Sequence, residues 1–280
     1  MFPGATTDRE AASYVVVGAP LDATTTFQPG TRFGPDRIRR FAETFDDYDR
    51  RTESRFSALG VCDAGDVRPW DDVEAYLDHL AAELRSVVYD DALPLLVGGE
   101  HTVTHAGVDA ADPDVLVVCD AHLDLRDAYD GNPLNHACVT RRALDDLGVD
   151  RAVIVGARTG SEVEWDRAAE ADVTVVAPED ARAWVDALGA DGSGPFADET
   201  VYCSIDIDGL DPGFAPGTGT MEPFGLTPRT VRDLVRTVAP RAVGFDVVEV
   251  NDRDDGQAAA LGGKLLREFV FAHAGSATAE

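Results

Sequence analysis

Apolar and polar positions along the chain fall into two alternating patterns. Short, mostly apolar runs occur at Ser13–Gly18, Ala58–Asp63, Leu93–Val97, Val115–Asp120, Val153–Gly156, Val173–Ala177, Val201–Ile205 and Ala242–Val250. Their length and β-branched content are those of buried strands. Between them lie longer amphipathic stretches. Trp70–Tyr89 carries Val73, Leu77, Leu80, Leu84 and Val87 on one stripe, which predicts a helix. Helices are also expected over Asp36–Thr44, Ala137–Leu147, Val163–Ala171, Pro178–Leu188, Pro228–Val238 and Ala258–His273. Strand and helix alternate throughout, which predicts a three-layer α/β/α fold around a mostly parallel sheet of about eight strands. No repeat, low-complexity tract or linker divides the chain, so residues 1–280 read as one domain, with Met1–Ala12 a loose lead-in.

The loops that follow the strands carry the candidate chemistry. In a parallel sheet, such loops line the ligand crevice at the strands' carboxyl ends. Val115–Asp124 is the most informative stretch, an apolar run ending in Asp120, His122 and Asp124. Residues two apart share a strand face, so an extended backbone here points all three the same way. Leu93–Val97 is closed by Gly98-Gly99-Glu100-His101, where two glycines permit a sharp turn. Val201–Ile205 runs into Asp206-Ile207-Asp208-Gly209-Leu210-Asp211-Pro212. Three strand ends thus supply four carboxylates and two imidazoles: His101, Asp120, His122, Asp124, Asp206 and Asp208. Such a set is costly to bury unless positive charge sits within it. Carboxylate-rich sites with some imidazole suit Mn²⁺, and this many ligands suit two adjacent ions that depress the pKa of a trapped water. His79, His105 and His273 lack such company and read as structural.

Composition narrows the field. The formal net charge is −28 and the pI about 4.3. That surface repels nucleic acid and anionic membranes, so neither is an expected partner. Lys264 is the only lysine among 24 basic residues. With the acids spread along the chain, this reads as a salt-adapted, halophilic surface. Cys62, Cys119, Cys138 and Cys203 form no Cys-x-x-Cys pair and read as buried free thiols of a reducing cytoplasm. No leader-like segment opens the sequence, and no apolar run approaches the roughly 18 residues of a membrane span.

Taken together, the motifs resemble the arginase and agmatinase (ureohydrolase) family. The matching segments are Gly30–Pro35, Gly98–His101, Asp120–Asp124, Ser204–Pro212, Pro216–Thr220 and Phe245–Asn251. The resemblance implies an arginase-like fold and two Mn²⁺ ions per subunit. His101, Asp120, Asp124 and Asp206 would hold one ion; His122, Asp120, Asp206 and Asp208 would hold the other. It also implies catalytic roles for His136, as a proton relay, for Glu249, as the acid that grips a guanidinium, and for Asp124. Asp211 would orient ligands. Residues 124–131 and 134–137 look most like archaeal and Bacillus-type agmatinases, which implies cleavage of the guanidino group of agmatine to putrescine, a polyamine, and urea. Arg126 and Asn135 are further candidate substrate contacts. Arg126 could bind a carboxylate, as in formiminoglutamases, or brace its loop by pairing with Asp127 or Asp130. Asn135 stands where similar agmatinases usually have Ser, and Met221 and Phe224 interrupt the run after Thr220. The alternatives are arginase, formiminoglutamase, or a hydrolase of a larger agmatine derivative such as aminopropylagmatine or a modified protein side chain. A one-zinc deacetylase of related fold and a non-enzymatic metal-dependent homologue fit the ligand set less well. The resemblance also implies a homo-oligomer, trimer or hexamer, acting on a small guanidino substrate.

Overall fold

The computed structural model of the chain describes residues 1–188, 196 and 198–277. Strands run over Tyr14–Ala19 (β1), Tyr48–Asp49 (β2), Ser54–Arg55 (β3), Val61–Asp66 (β4), Leu93–Gly98 (β5), Val115–Cys119 (β6), Arg151–Val155 (β7), Val173–Val176 (β8), Val201–Asp206 (β9) and Ala242–Val248 (β10). Helices run over Gly34–Ala42 (α1), Val73–Tyr89 (α2), Thr104–Ala111 (α3), Val139–Asp146 (α4), Glu162–Ala168 (α5), Pro178–Ala187 (α6), Pro228–Val238 (α7) and Gln257–Ala277 (α8). One sheet of eight strands has the order β4-β1-β5-β10-β9-β6-β7-β8. Every neighbouring pair in it is parallel.

Alternation along the strands builds a core on each face. In β6, Val115, Val117 and Cys119 join the residues packed under α1, α6, α7 and α8. Leu116 and Val118 face the other way, against α3 and α4. α2 and α5 complete that second layer over β1 and β7. Burying both faces explains why the central runs read as continuously apolar rather than alternating. All four cysteines are buried and free, as expected. No helix among the described residues is long and apolar enough to cross a membrane.

Several boundaries differ from the sequence expectation. β4 begins at Val61, three residues late, because Phe56–Ala58 forms a 3₁₀ turn and Val61 pairs with Tyr14. It is an edge strand whose outer half is partly exposed, so its apolar signal is weak. α1 starts at Gly34 and takes Pro35 into its first turn, where no amide partner is required. β2 and β3 form an antiparallel two-residue ladder, too short to leave a periodic signal. The first twelve residues are tied down. Phe2 and Ala5 are buried, and Phe2 packs on Phe56 with ring centroids 5.7 Å apart.

That segment meets a buried ion pair. Arg39 of α1 donates from Nε and Nη2 to the two oxygens of Asp63, both at 2.9 Å, and pairs also with Asp66. Asp63 accepts the amides of Gly65 and Phe2 as well. Burial works against the Asp63 charge, but the Arg39 fork more than offsets it and holds the carboxyl below its usual range. Asp63→Ala leaves the buried guanidinium with the partly exposed Asp66 as its remaining ion partner and is expected to cost about 3 kcal/mol in urea unfolding. The wild-type contribution is present above the unfolded Asp pKa of about 3.9 and disappears as pH falls through the lower folded value. An unchanged midpoint in the variant at neutral pH contradicts this assignment.

Candidate metal centre and adjoining cavity

Strand order decides which residues meet. β5, β10, β9 and β6 are consecutive in the sheet though far apart in the chain. Their carboxyl ends lead to His101, Glu249, Asp206 and Asp120. Cys119 pairs with Ile205, and Val248 with Asp206, so Asp120, Asp206 and Glu249 leave the sheet at nearly one level. The chain passes from β5 to β6 over two intervening strands, and such a jump opens a crevice at the strand ends.

Loops complete the convergence. β6 ends at Cys119, so strand alternation does not collect Asp120, His122 and Asp124. Instead the His122 amide donates to Asp120 Oδ1 (2.6 Å), and Asp124 takes a left-handed backbone with φ 50°. Glu249 is also left-handed, with φ 60°. Non-glycine residues pay for that conformation and keep it only where surrounding contacts enforce it. The glycines of Gly98–His101 serve close approach rather than an unusual turn, since neither has positive φ. A Cβ on Gly99 would lie 1.9 Å from the carbonyl oxygen of Leu21. Gly209 likewise lets the loop after β9 lie against Cys119 and Asp120, where a Cβ would come within 2.7 Å of Cys119 Sγ.

The result is two adjoining clusters. His101 Nδ1 lies 2.8 Å from Asp124 Oδ2, 3.2 Å from Asp120 Oδ2 and 3.5 Å from Asp206 Oδ2. His122 Nδ1 lies 3.1 Å from Asp208 Oδ2 and 3.4 Å from Asp120 Oδ1. Asp120 therefore presents one oxygen to each cluster. His122 is partly exposed; the other five residues are buried.

The hydrogen-bond pattern tests whether this set fits a cation. The Ser204 hydroxyl gives its single proton to Asp246 Oδ1 (2.6 Å), so its 3.2 Å contact with His101 Nε2 makes that nitrogen the N–H donor. The His101 lone pair then sits on Nδ1 and points at three carboxylate oxygens. His101 Nδ1 and Asp120 Oδ2 are buried and have no hydrogen-bond partner. Lone pairs facing one another in a buried site require positive charge between them. The same demand appears in the titration of the chain itself. Burial opposes charge on His122, yet Asp208 and Asp120 raise its pKa to about 12. Burial and the Asp120 charge push Asp124 up to about 6. Burial and the Asp208 charge drive Asp206 well above the usual carboxylate range. Protons and divalent cations compete for such a cluster, so ion binding releases protons.

A cavity of about 360 Å³ opens beside the clusters, lined among others by Thr26, Asp124, Arg126, His136, Thr220 and Glu249. Glu249 Oε1 accepts the His101 amide (2.8 Å) and lies 3.3 Å from His136 Nδ1. Burial opposes charge on His136, but Glu249 overrides it and raises the pKa to about 9. The opposite nitrogen of His136 is 3.0 Å from Thr26 Oγ1. A larger cavity of about 430 Å³ beside β4 and α2, lined among others by Asp66, His79 and Glu83, borders neither of the two metal-type clusters found among the described residues, so the chemistry lies with the smaller one.

The remaining sequence candidates fall as follows. Arg126 lines the cavity but is braced by neither Asp127 nor Asp130. It pairs with Glu164 Oε2 at 3.1 Å and lies over the Tyr129 ring, while Asp127 pairs with Arg142. Glu164 is presented by the first turn of α5, where it also accepts from Ser161. Asn135 does not line the cavity. Its amide is spent on the Thr24 carbonyl and the Ala137 amide, which starts the turn that carries His136. Asp211 accepts the amides of Gly213, Phe224 and Gly225 and braces its loop without touching a candidate ligand. Met221 and Phe224 are exposed and lie outside the cavity lining. His273 accepts or donates at Tyr14 OH, and His79 packs on Trp70, both away from the site.

Sequence reasoning missed the supporting residues. Glu100 is fully buried and holds the Thr24 amide (2.7 Å) and hydroxyl (2.8 Å), anchoring the loop over His136. Thr24 Oγ1 in turn accepts the His136 amide at 3.0 Å. Ser204, Asp246 and Thr104 form the network behind His101. Glu100, Ser204 and Asp246 sit inside the quoted motifs, which was the available signal.

If the clusters hold a divalent cation, adding Mn²⁺ to chelator-treated protein raises the melting temperature by roughly 5 °C or more at a hundredfold excess over Kd. Asp120→Ala abolishes the rise. An equal rise in that variant refutes the placement.

Comparison with known proteins shows the family. A profile of the arginase family matches residues 12–272. An agmatinase of Pyrococcus horikoshii is 36% identical over 268 residues, covering 93% of this chain and 92% of that protein. An N(1)-aminopropylagmatine ureohydrolase of Thermococcus kodakarensis is 37% identical over 265 residues, 92% of this chain and 89% of that one. The crystal structure of agmatine ureohydrolase of Thermoplasma volcanium superposes with a TM-score of 0.91 at 35% identity, covering 100% of this chain and 96% of that one. With a family profile spanning nearly its whole length and relatives at 35–37% identity over nine-tenths of the chain, this chain belongs to the arginase family and is a ureohydrolase-type hydrolase acting on guanidino groups.

Proposed function

We propose that the protein cleaves agmatine to putrescine and urea at a pair of Mn²⁺ ions. The observation that carries the reading is the buried lone pair of His101 Nδ1, turned onto Asp120, Asp124 and Asp206 beside a cavity that ends in Glu249. In this reading His101, Asp120, Asp124 and Asp206 hold one ion, and His122, Asp120, Asp206 and Asp208 the other. The donor set is mostly carboxylate with imidazole, which suits Mn²⁺. When bound, the ion pair supplies an activated water near neutral pH.

The chain's own residues do the rest. Glu249 binds the planar guanidinium, since a carboxylate matches that cation in charge and geometry. Its left-handed backbone and the His101 amide hold it toward the cavity. His136 shares a proton with Glu249 and passes it to the departing amine. A guanidinium seated on Glu249 weakens the field that holds this proton, which favours its release. Thr24 and Glu100 keep His136 in place. Asp124 completes the catalytic set, with Oδ2 2.8 Å from His101 Nδ1 at the edge of the cavity.

Two observations each favour a separate alternative with a different distal group. The Thermococcus relative is named for aminopropylagmatine, a longer amine. Arg126, although paired with Glu164, places its guanidinium on the cavity wall, where a substrate carboxylate, as in formiminoglutamate, would compete with Glu164 for it. The same proposal includes a cytoplasmic, salt-adapted enzyme of polyamine formation, assembled as a trimer or hexamer.

A panel of agmatine, aminopropylagmatine, arginine and formiminoglutamate, assayed with Mn²⁺-loaded protein, decides among these. Agmatine is expected to give the highest kcat/KM, read as urea release for the three guanidino substrates and as formamide release for formiminoglutamate. Glu249→Gln is expected to lower that value by about 10–100-fold through loss of charge-assisted hydrogen bonds. Arginine or formiminoglutamate as the best substrate overturns the agmatine assignment.

A further inference from the structure

The guanidinium of Arg158 is tied to backbone carbonyls at three places, the end of β7 and two stretches of the β9–α7 connection. Arg158 follows β7, and its side chain forms no ion pair among the described residues. Nη1 donates to Gly156 O (2.9 Å) at the end of β7 and to Gly209 O (3.2 Å). Nη2 donates to Asp208 O (2.9 Å), Leu210 O (3.4 Å) and Glu222 O (2.7 Å). Nε donates to Pro223 O at 3.1 Å. The loop after β9 carries Asp208, and residues 222–223 belong to the loop that brings Thr220 to the cavity. The main chain of Arg158 adds a fourth tie. Its amide donates to Ala121 O at 2.9 Å, and the Ala121 amide donates to Asp208 Oδ1 at 3.1 Å.

We propose that Arg158 is a positioning residue for the cluster of Asp120, His122 and Asp208. It acts by fixing the main chain of Asp208 and, through it, the direction of the carboxylate. This rests on the dinuclear reading above. Only a planar fork with donors on three nitrogens reaches carbonyls on both sides of the loop. Gly225 leaves room for it, since a Cβ there would sit 2.7 Å from Arg158 Nη2. The His101 cluster has its own support in Ser204 and Asp246 and does not depend on this clamp. The two ions are therefore held by different supports, and removing the fork weakens one of them.

The test is a Mn²⁺ titration of chelator-treated, full-length protein by calorimetry, with the melting temperature of the metal-free form measured in parallel. Wild type is expected to bind two ions. Arg158→Lys keeps the charge but cannot span the carbonyls. It is expected to keep one ion at wild-type affinity and to bind the second roughly 10–100-fold more weakly. A merely structural role would lower the metal-free melting temperature and leave the ratio of the two affinities unchanged; that result overturns the proposal. So does a variant that binds both ions as wild type does, while the dinuclear reading stands. Fewer than two ions in wild type brings down the dinuclear reading and this inference with it. Arg158→Gln, titrated the same way, carries the test if Arg158→Lys does not fold.

Discussion

A carboxylate-rich cluster buried at the end of a sheet requires positive charge, and most of this structure follows from that constraint. Each of four acids lies within 3.5 Å of one of two imidazoles. In water such a group would spread apart. Here the sheet prevents it, because the residues leave adjacent strands whose register is fixed by continuous apolar packing on both faces. The cost of gathering the acids is borne by the core, and it is recovered when cations bind.

The supports are graded around that cluster. Ser204 and Asp246 decide which His101 nitrogen carries the proton, and thereby turn its lone pair inward. Glu100 and Thr24 secure the loop that places His136 against Glu249. Arg158 holds the loop of Asp208 from the opposite side. Strained backbone at Asp124 and Glu249 shows that these contacts override local preference where the site needs it.

Much of this was legible in the sequence. The eight-strand parallel sheet followed from apolar runs alternating with amphipathic stretches. The six candidate ligands followed from acids placed where apolar runs stop. What remained hidden depends on tertiary pairing. The β2–β3 ladder is too short to carry a period, and β4 is an edge strand with only half its residues covered. The Arg126–Glu164 pair joins residues far apart in the chain through the start of α5, so local charges at Asp127 and Asp130 misdirected the reading. The gathering of Asp120, His122 and Asp124 came from a left-handed loop, which period-two alternation cannot foresee. Arg158 offered no signal at all, since its partners are carbonyls that every residue possesses.

The most direct test of the shared-cation account is a crystal grown with ample Mn²⁺ and measured at the manganese absorption edge. The account predicts two anomalous peaks roughly 3.5–4 Å apart, one among His101, Asp120, Asp124 and Asp206, the other among His122, Asp120, Asp206 and Asp208. Those side chains splayed apart, with no peak among them, would contradict it.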